Sequence, residues 1–202
     1  MADGNTIMGE EAHRRLPRIV PLLGFALLAI IAMASLVHLP GSLGTPPVER
    51  LRLVQASASS MEPLIRRGDR FLVDTTYYRS HPPSRGEVVL YVPPQGAGQE
   101  SVKRVVAVGG DRVSVRNGIA IVNGALLDEP YADVGDPSAS YNNTAATLVR
   151  QGRVFVLGDN RGNSEDSRTA AHGPVPLGNI VGLATRIVWS NDVRRIGTSI
   201  NP

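Results

Sequence analysis

Cysteine is absent from this 202-residue sequence, which excludes disulfide frameworks, thiolate metal sites and cysteine nucleophiles. Aromatic residues make up only 4% of the chain, so the core must be built from valine, isoleucine, leucine and alanine. The four histidines lie far apart in the sequence, a spacing that is not typical of a metal site. The composition therefore excludes cysteine chemistry and disfavours a metal cluster.

Lysine is almost absent as well. The chain has 21 Lys and Arg residues, and Lys103 is the only lysine among them. Arginine cannot lose its proton in a protein, whereas a buried lysine can. The arginines are scattered in ones and twos rather than gathered in a basic stripe, which argues against a nucleic-acid partner. Lys103 is thus the candidate for a role that needs a neutral amine.

Residues 19–39 form an apolar run in which His38 is the only titratable side chain. As a helix this run would be roughly 31 Å long, enough to cross one bilayer core. Arg14, Arg15 and Arg18 precede it, and the stretch directly after it has no positive charge. The positive-inside rule then predicts a single-pass anchor in the cell (inner or plasma) membrane, with the N-terminus cytoplasmic and the rest of the chain outside.

The anchor prediction divides the chain into five parts. They are a cytoplasmic tail (1–18), the anchor (19–39), a linker (40–49), an extracytoplasmic β domain (50–195) and a C-terminal tail (196–202). A cleavable signal peptide is the competing interpretation, because Ala32-Met33-Ala34 has the small-x-small pattern of a cleavage site. The apolar run continues past that pattern to Leu39, which favours the uncleaved anchor.

Short runs rich in β-branched residues, separated by Gly, Pro, Asn and Asp, predict strands after residue 50. The predicted strands are 70–74, 87–92, 101–108, 112–116, 119–122, 154–157 and 180–189, with a short one near 146–149. Asn117-Gly118 joins two of them as a two-residue hairpin. The fold class is therefore mainly β: an antiparallel domain of coiled sheets or a partly open barrel.

Three segments carry groups suited to catalysis. Residues 57–69 (SASSMEPLIRRGD) place a serine in a loop restricted by Pro63. Lys103 lies in a predicted strand on the face of Val105 and Ala107, where burial would lower its pKa and leave an amine able to take a serine proton. Residues 158–168 (GDNRGNSEDSR) are dense in paired charges and amides, typical of a rigid turn that positions a neighbouring group.

A histidine base is the alternative to Lys103. His13 and His38 flank the apolar run, and His81 lies in a Pro-rich turn. His172 is therefore the only histidine that could belong to a Ser-His-Asp triad.

Together the three segments resemble the type I signal peptidase family, membrane-bound Ser/Lys serine proteases that remove signal peptides from exported preproteins. The resemblance rests on SSMEP with GDRFLVD, on KRVVAVGGD and on GDNRGNSEDSR. It implies a fold shared with self-cleaving LexA-like repressors and a reaction that needs no metal or cofactor. It also implies Ser60 as the nucleophile, Lys103 as the general base and Ser164 as the hydroxyl that orients the lysine. The supporting charged network would comprise Asp159, Asp166, Arg168 and Arg104.

The sequence departs from the family pattern beside the nucleophile. Many members have a serine two positions before it, whose hydroxyl helps to hold the oxyanion, and this chain has Ala58 there. The backbone N–H of Ser60 is then the expected donor, with Ser57 or Ser59 as alternative second donors.

Two further departures concern the cleft: Leu64 stands where the family usually has threonine, and extra residues separate Arg168 from Gly173. Ala58 and Leu64 leave open a specialised peptidase that matures one secreted or conjugative substrate, besides a general signal peptidase that cleaves after small-x-small sites. An inactive membrane-tethered scaffold and a self-cleaving repressor are the remaining alternatives. The partners that the resemblance implies are exported preproteins and the lipid bilayer.

Overall fold

The computed structural model describes residues 50–96 and 98–201. The predicted cytoplasmic tail, transmembrane anchor and linker (1–18, 19–39 and 40–49) lie outside the described residues. Within the described part of the chain, no helix has both the length and the hydropathy needed to cross a bilayer.

Eleven strands account for the regular structure of the described residues. They are β1 (Leu51–Gln55), β2 (Arg70–Asp74), β3 (Val88–Tyr91), β4 (Ser101–Val108), β5 (Arg112–Arg116), β6 (Ile119–Val122), β7 (Ala125–Leu126), β8 (Thr147–Leu148), β9 (Arg153–Leu157), β10 (Val175–Pro176) and β11 (Ile180–Trp189). Short 3-10 turns lie at Tyr77–Arg79, Ser140–Asn142, Arg161–Asn163, Leu177–Asn179 and Val193–Arg195.

The strands form two sheets. A seven-stranded sheet has the order β1-β2-β11-β3-β4-β9-β10, and a four-stranded sheet has the order β7-β6-β5-β8. All strand pairs within these sheets are antiparallel, which confirms the predicted mainly β, antiparallel class. Asn117, at φ 51°, and Gly118, at φ 80°, form the predicted hairpin between β5 and β6.

A bulge in β4 changes the face on which its residues lie. The register shifts between Val105 and Ala107 where β4 pairs with β9. As a result, Val105 packs in the cluster of Val89 and Tyr91, whereas Ala107 packs with Val106 in another cluster. The prediction that Lys103 shares its face with both Val105 and Ala107 is therefore wrong for Ala107, because a bulge interrupts the two-residue alternation of a strand.

The C-terminal residues pack onto the β domain. The N–H of Ile200 donates to the carbonyl of Thr185 at 2.9 Å, and that of Ile187 donates to Thr198 at 3.0 Å. The side chain of Ile200 is only 4% exposed and packs in a core cluster with Phe71 and Val73. The packed structure therefore continues beyond the boundary expected at residue 195.

We predict that Ile200→Ala lowers the free energy of unfolding by about 2–4 kcal/mol, since it removes a buried side chain and leaves a cavity. Ile196→Ala is the matched control, because Ile196 is 46% exposed and its truncation should cost less than about 0.5 kcal/mol. Chemical denaturation measures both. Equal losses in the two variants would contradict the packing of this segment.

Candidate active site

Ser60 lies in the connection between β1 and β2. The neighbouring side chains of Met61 and Ile65 are buried in the same core cluster. The N–H of Ile65 donates to the carbonyl of Met61 at 2.8 Å, and that of Glu62 donates to Ser59 at 3.1 Å. These contacts close a tight turn, so the apolar anchors fix the position of the Ser60 hydroxyl.

Lys103 reaches the same point from the middle of β4. Its side chain is buried, and Nζ lies 2.9 Å from the Oγ of Ser60. The same nitrogen lies 3.0 Å from the Oγ of Ser101 and 3.0 Å from the carbonyl oxygen of Val102. Two residues that are 43 positions apart in the sequence are thus brought into hydrogen-bonding contact.

Burial lowers the pKa of Lys103 from its ordinary 10.5 to about 8. Removal from water is the largest cause, because it disfavours the charged ammonium. The nearby carboxylates Asp166, Glu165 and Asp159 act in the opposite direction, and Arg168 reinforces the lowering. An appreciable fraction of this amine is therefore neutral near neutral pH.

The segment 158–168 packs directly against the serine turn. The N–H of Asn160 donates to the carbonyl of Ser60 at 3.1 Å, and the side chain of Asn163 donates to the Oγ of Ser59 at 2.7 Å. Gly158 permits this approach, because a Cβ there would come within 2.5 Å of the Ser60 carbonyl oxygen. The segment therefore holds the turn through contacts additional to those of its apolar anchors.

Two buried ion pairs stabilise the segment. Arg104 contacts both carboxylate oxygens of Asp159, at 2.8 and 2.7 Å. Arg168 contacts both oxygens of Asp166, at 2.8 and 2.9 Å. Burial tends to raise the pKa of Asp166, but Arg168 and further hydrogen bonds lower it overall, so this carboxylate stays ionised.

A third buried pair joins the segment to the four-stranded sheet. Arg161 donates to Glu129 at 2.7 Å and to the carbonyl of Gly118 in the β5–β6 hairpin. Neither side chain of the pair is exposed. Sequence analysis missed this contact, because Glu129 lies in a stretch without periodicity and only the fold shows its partner.

Ser164 does not make the contact expected of it. Its hydroxyl donates to the Oδ2 of Asp166 at 2.7 Å, and it is not among the three groups that Nζ of Lys103 contacts. The corresponding place beside the amine is taken by Ser101. Sequence analysis missed Ser101, although its position two residues before Lys103 on a strand places both side chains on one face.

The candidate oxyanion donors are the N–H of Ser60 and the side chains of Ser57 and Ser59. Among the described residues, the N–H of Ser60 donates to no backbone carbonyl outside the strands. Ser59 accepts a hydrogen bond from Asn163, and Ser57 is exposed. The geometry favours the Ser60 N–H and assigns no second donor.

The hydrogen-bond partner of His172 is Tyr91, not Ser60. Its Nε2 is 2.7 Å from the hydroxyl of Tyr91, whereas the position beside the Ser60 hydroxyl is occupied by Lys103. The structure therefore does not assemble a Ser-His-Asp triad around His172.

Comparisons with known proteins identify the family of this chain. The family model described as signal peptidase, peptidase S26, matches residues 14–189. The chain is 40% identical over 134 residues to the probable signal peptidase I-1 of Synechocystis sp., covering 63% of this chain and 65% of that protein, slightly under two thirds of its length.

A second relative and one solved structure extend the comparison. The chain is 31% identical over 234 residues to signal peptidase I of Mycobacterium tuberculosis, covering 88% of this chain and 76% of the relative. The crystal structure of a signal peptidase I from Enterococcus faecalis V583 has 29% identity and a TM-score of 0.42, over 51% of this chain and 97% of that one. On the family match, the chain belongs to the type I signal peptidases of the peptidase S26 family.

Proposed function

We propose that this chain removes N-terminal signal peptides from exported preproteins, with Ser60 as nucleophile and Lys103 as general base. The observation that carries the proposal is the 2.9 Å contact between Nζ of Lys103 and Oγ of Ser60, made by a lysine that is only 4% exposed. Family membership supplies the reaction class, peptide-bond hydrolysis by a serine endopeptidase.

The first step is proton transfer from Ser60 to Lys103. A neutral amine has two N–H donors and one lone pair. The carbonyl of Val102 and the Oγ of Ser101 can accept the two N–H groups, which leaves the lone pair for the Ser60 proton. The hydroxyl oxygen then attacks the substrate carbonyl as its proton moves to the amine.

The later steps use the same groups. The N–H of Ser60 stabilises the oxyanion, and a donor of this kind is worth roughly 3–4 kcal/mol. The protonated Lys103 gives its proton to the departing amine of the mature protein. It then takes a proton from water, which hydrolyses the acyl-enzyme.

The charged network keeps these groups in place. Asp159 with Arg104, and Asp166 with Arg168, are buried pairs in the segment that packs against the serine turn and in its surroundings. Loss of one partner would leave a buried charge uncompensated, which typically costs 3–5 kcal/mol. We assign these four residues positioning roles, with Ser164 held in the same network through Asp166.

The site of action that fits this activity is the outer face of a membrane. The apolar run 19–39 with its preceding arginines supports a single-pass anchor with the β domain outside the cytoplasm. Signal peptides emerge there, and an extended segment with small side chains before the cleaved bond is the expected substrate.

We predict that Lys103→Arg lowers kcat/KM on a model preprotein at least about 100-fold, since a guanidinium cannot accept the serine proton. Ser60→Ala should be equally inactive. Ser138→Ala, at an exposed serine of the same chain, is the control and should cleave normally. Near-normal processing by a folded Lys103→Arg variant would rule out the assigned base.

A second prediction concerns pH. Only the unprotonated amine accepts a proton, so kcat/KM should rise with pH through the lowered pKa of Lys103, about 8, and fall as the solution becomes more acidic. Initial rates on an uncharged fluorogenic peptide measure this. A rate that stays constant as the pH is taken through that value would contradict a lysine base.

A further inference from the structure

Two strands that are distant in the sheet approach each other beside the catalytic groups. β1 and β4 are separated by three strands in the order of the seven-stranded sheet. The turn after β1 nevertheless places Ser60 beside Lys103 of β4, and Arg52 of β1 contacts Glu100, the residue directly before β4. The sheet therefore curves until β1 and the start of β4 are bridged by side chains at two points.

Both strands have free backbone edges along this approach. β1 is the edge strand of its sheet and pairs only with β2. Residues 101–103 of β4 pair with β3, whereas the pairing of β4 with β9 begins at Arg104. Within the part of the chain that the structure describes, no backbone hydrogen bond joins residues 51–60 to residues 100–103. An extended peptide can therefore enter between the two strands and pair with an edge.

Small apolar side chains line the groove between β1 and β4. Val54 and Ala56 lie two residues apart, on the same face of the chain. Val102 belongs to β4. All three side chains are partly buried and pack against the core cluster that contains Met61. The groove therefore suits the small side chains that are expected before the cleaved bond of a preprotein.

A charged pair follows the apolar side chains along both walls of the groove. Arg52 precedes Val54 by two residues and Glu100 precedes Val102 by two residues, so the alternation of an extended chain places each charge on the apolar face of its strand. The guanidinium of Arg52 donates to both carboxylate oxygens of Glu100, to Oε1 at 2.7 Å. The two side chains are 45% and 28% exposed, so a bound peptide can reach them. We call Arg52 and Glu100 the rim pair.

We propose that the rim pair forms the subsite for the substrate residue about four or five positions before the cleaved bond, and that its two opposite charges let this position hold a residue of either sign. The proposal rests on the proposed Ser60/Lys103 function. Glu100 is three residues from Lys103, about 10 Å along an extended chain. The residues directly before the cleaved bond occupy the apolar groove over this distance, and the next ones reach the rim pair.

The pairing explains why neither sign is selected. Arg52 and Glu100 neutralise each other, so a lysine or a glutamate of the substrate meets one attractive and one repulsive charge. Removal of one partner leaves the other charge alone at the end of the groove. The remaining charge should then attract one sign of substrate residue and repel the other, because an opposite charge within a few ångströms is favourable and a like charge is not.

The test removes one charge at a time from the full-length enzyme. Model preproteins carry lysine, glutamate or glutamine at single positions three to six residues before the cleaved bond. The wild type should process the lysine and glutamate substrates within about twofold of each other. Arg52→Ala should favour lysine over glutamate in kcat/KM by about twofold to fivefold, the range of an exposed ion pair, and Glu100→Ala should favour glutamate by a similar factor. The change should lie in KM, with kcat unchanged.

Three controls separate this role from a structural one. The double variant Arg52→Glu with Glu100→Arg restores the pair with its charges exchanged and should treat both signs alike again. Salt at about 1 M should remove the preferences of the single variants, because it screens exposed charges beyond about 3 Å. Arg194→Ala breaks an exposed ion pair with Asp192 and should match the wild type.

Single variants without opposite charge preferences would overturn the proposal. It would also fail if the preferences arose only at residues after the cleaved bond, or if both variants lost rate equally on every substrate. Failure of the rim pair is distinguishable from failure of the proposed function. If Ser60→Ala and Lys103→Arg are inactive while the rim variants show no charge preference, only the subsite is wrong. If Lys103→Arg is active, the dyad itself is wrong.

Discussion

The structure depends on keeping one lysine side chain out of water. Desolvation is the largest influence on the pKa of Lys103, and it outweighs three nearby carboxylates that favour the charged form. The cost of burying an amine is limited when the amine is neutral and its hydrogen atoms have acceptors. Val102 and Ser101 provide those acceptors. The same arrangement that makes the buried amine tolerable also leaves its lone pair facing Ser60.

The two sheets and the segment 158–168 together hold the buried Lys103 next to Ser60. The long central strand β4 carries Lys103 and Arg104 as neighbours pointing in opposite directions, one toward the serine turn and one toward Asp159. The segment ties the turn to both sheets through Asn160 and through the buried pair of Arg161 with Glu129. The pair of Arg161 with Glu129 is buried and charge-assisted, so the segment that contacts the serine turn is itself firmly attached to the β5–β6 hairpin region.

Sequence patterns predicted the parts of the fold that depend on local alternation. Strands β2, β4, β5, β6 and β11 have the predicted bounds. Strands β1, β7 and β10 were not predicted: β1 and β7 are mostly exposed, and β10 has only two residues, too few to show an alternation. The bulge between Val105 and Ala107 also leaves no signal in the alternation of residues along the strand. Within the site, motif order predicted that Ser60 and Lys103 meet, but it did not predict the contact of Ser101 with the Lys103 amine. The contact between Tyr91 and His172 joins residues 81 positions apart, and no local pattern in the sequence predicts it.

Because lysine is so scarce in this sequence, the pKa of Lys103 can be measured directly. Because Lys103 is the only lysine, the full-length chain labelled with 13C and 15N in lysine alone gives a single side-chain NMR signal, and its shift can be followed against pH. The account predicts a titration midpoint near 8, well below the value of a solvated amine. A midpoint near the ordinary 10.5 would show a charged, hydrated lysine and contradict the account.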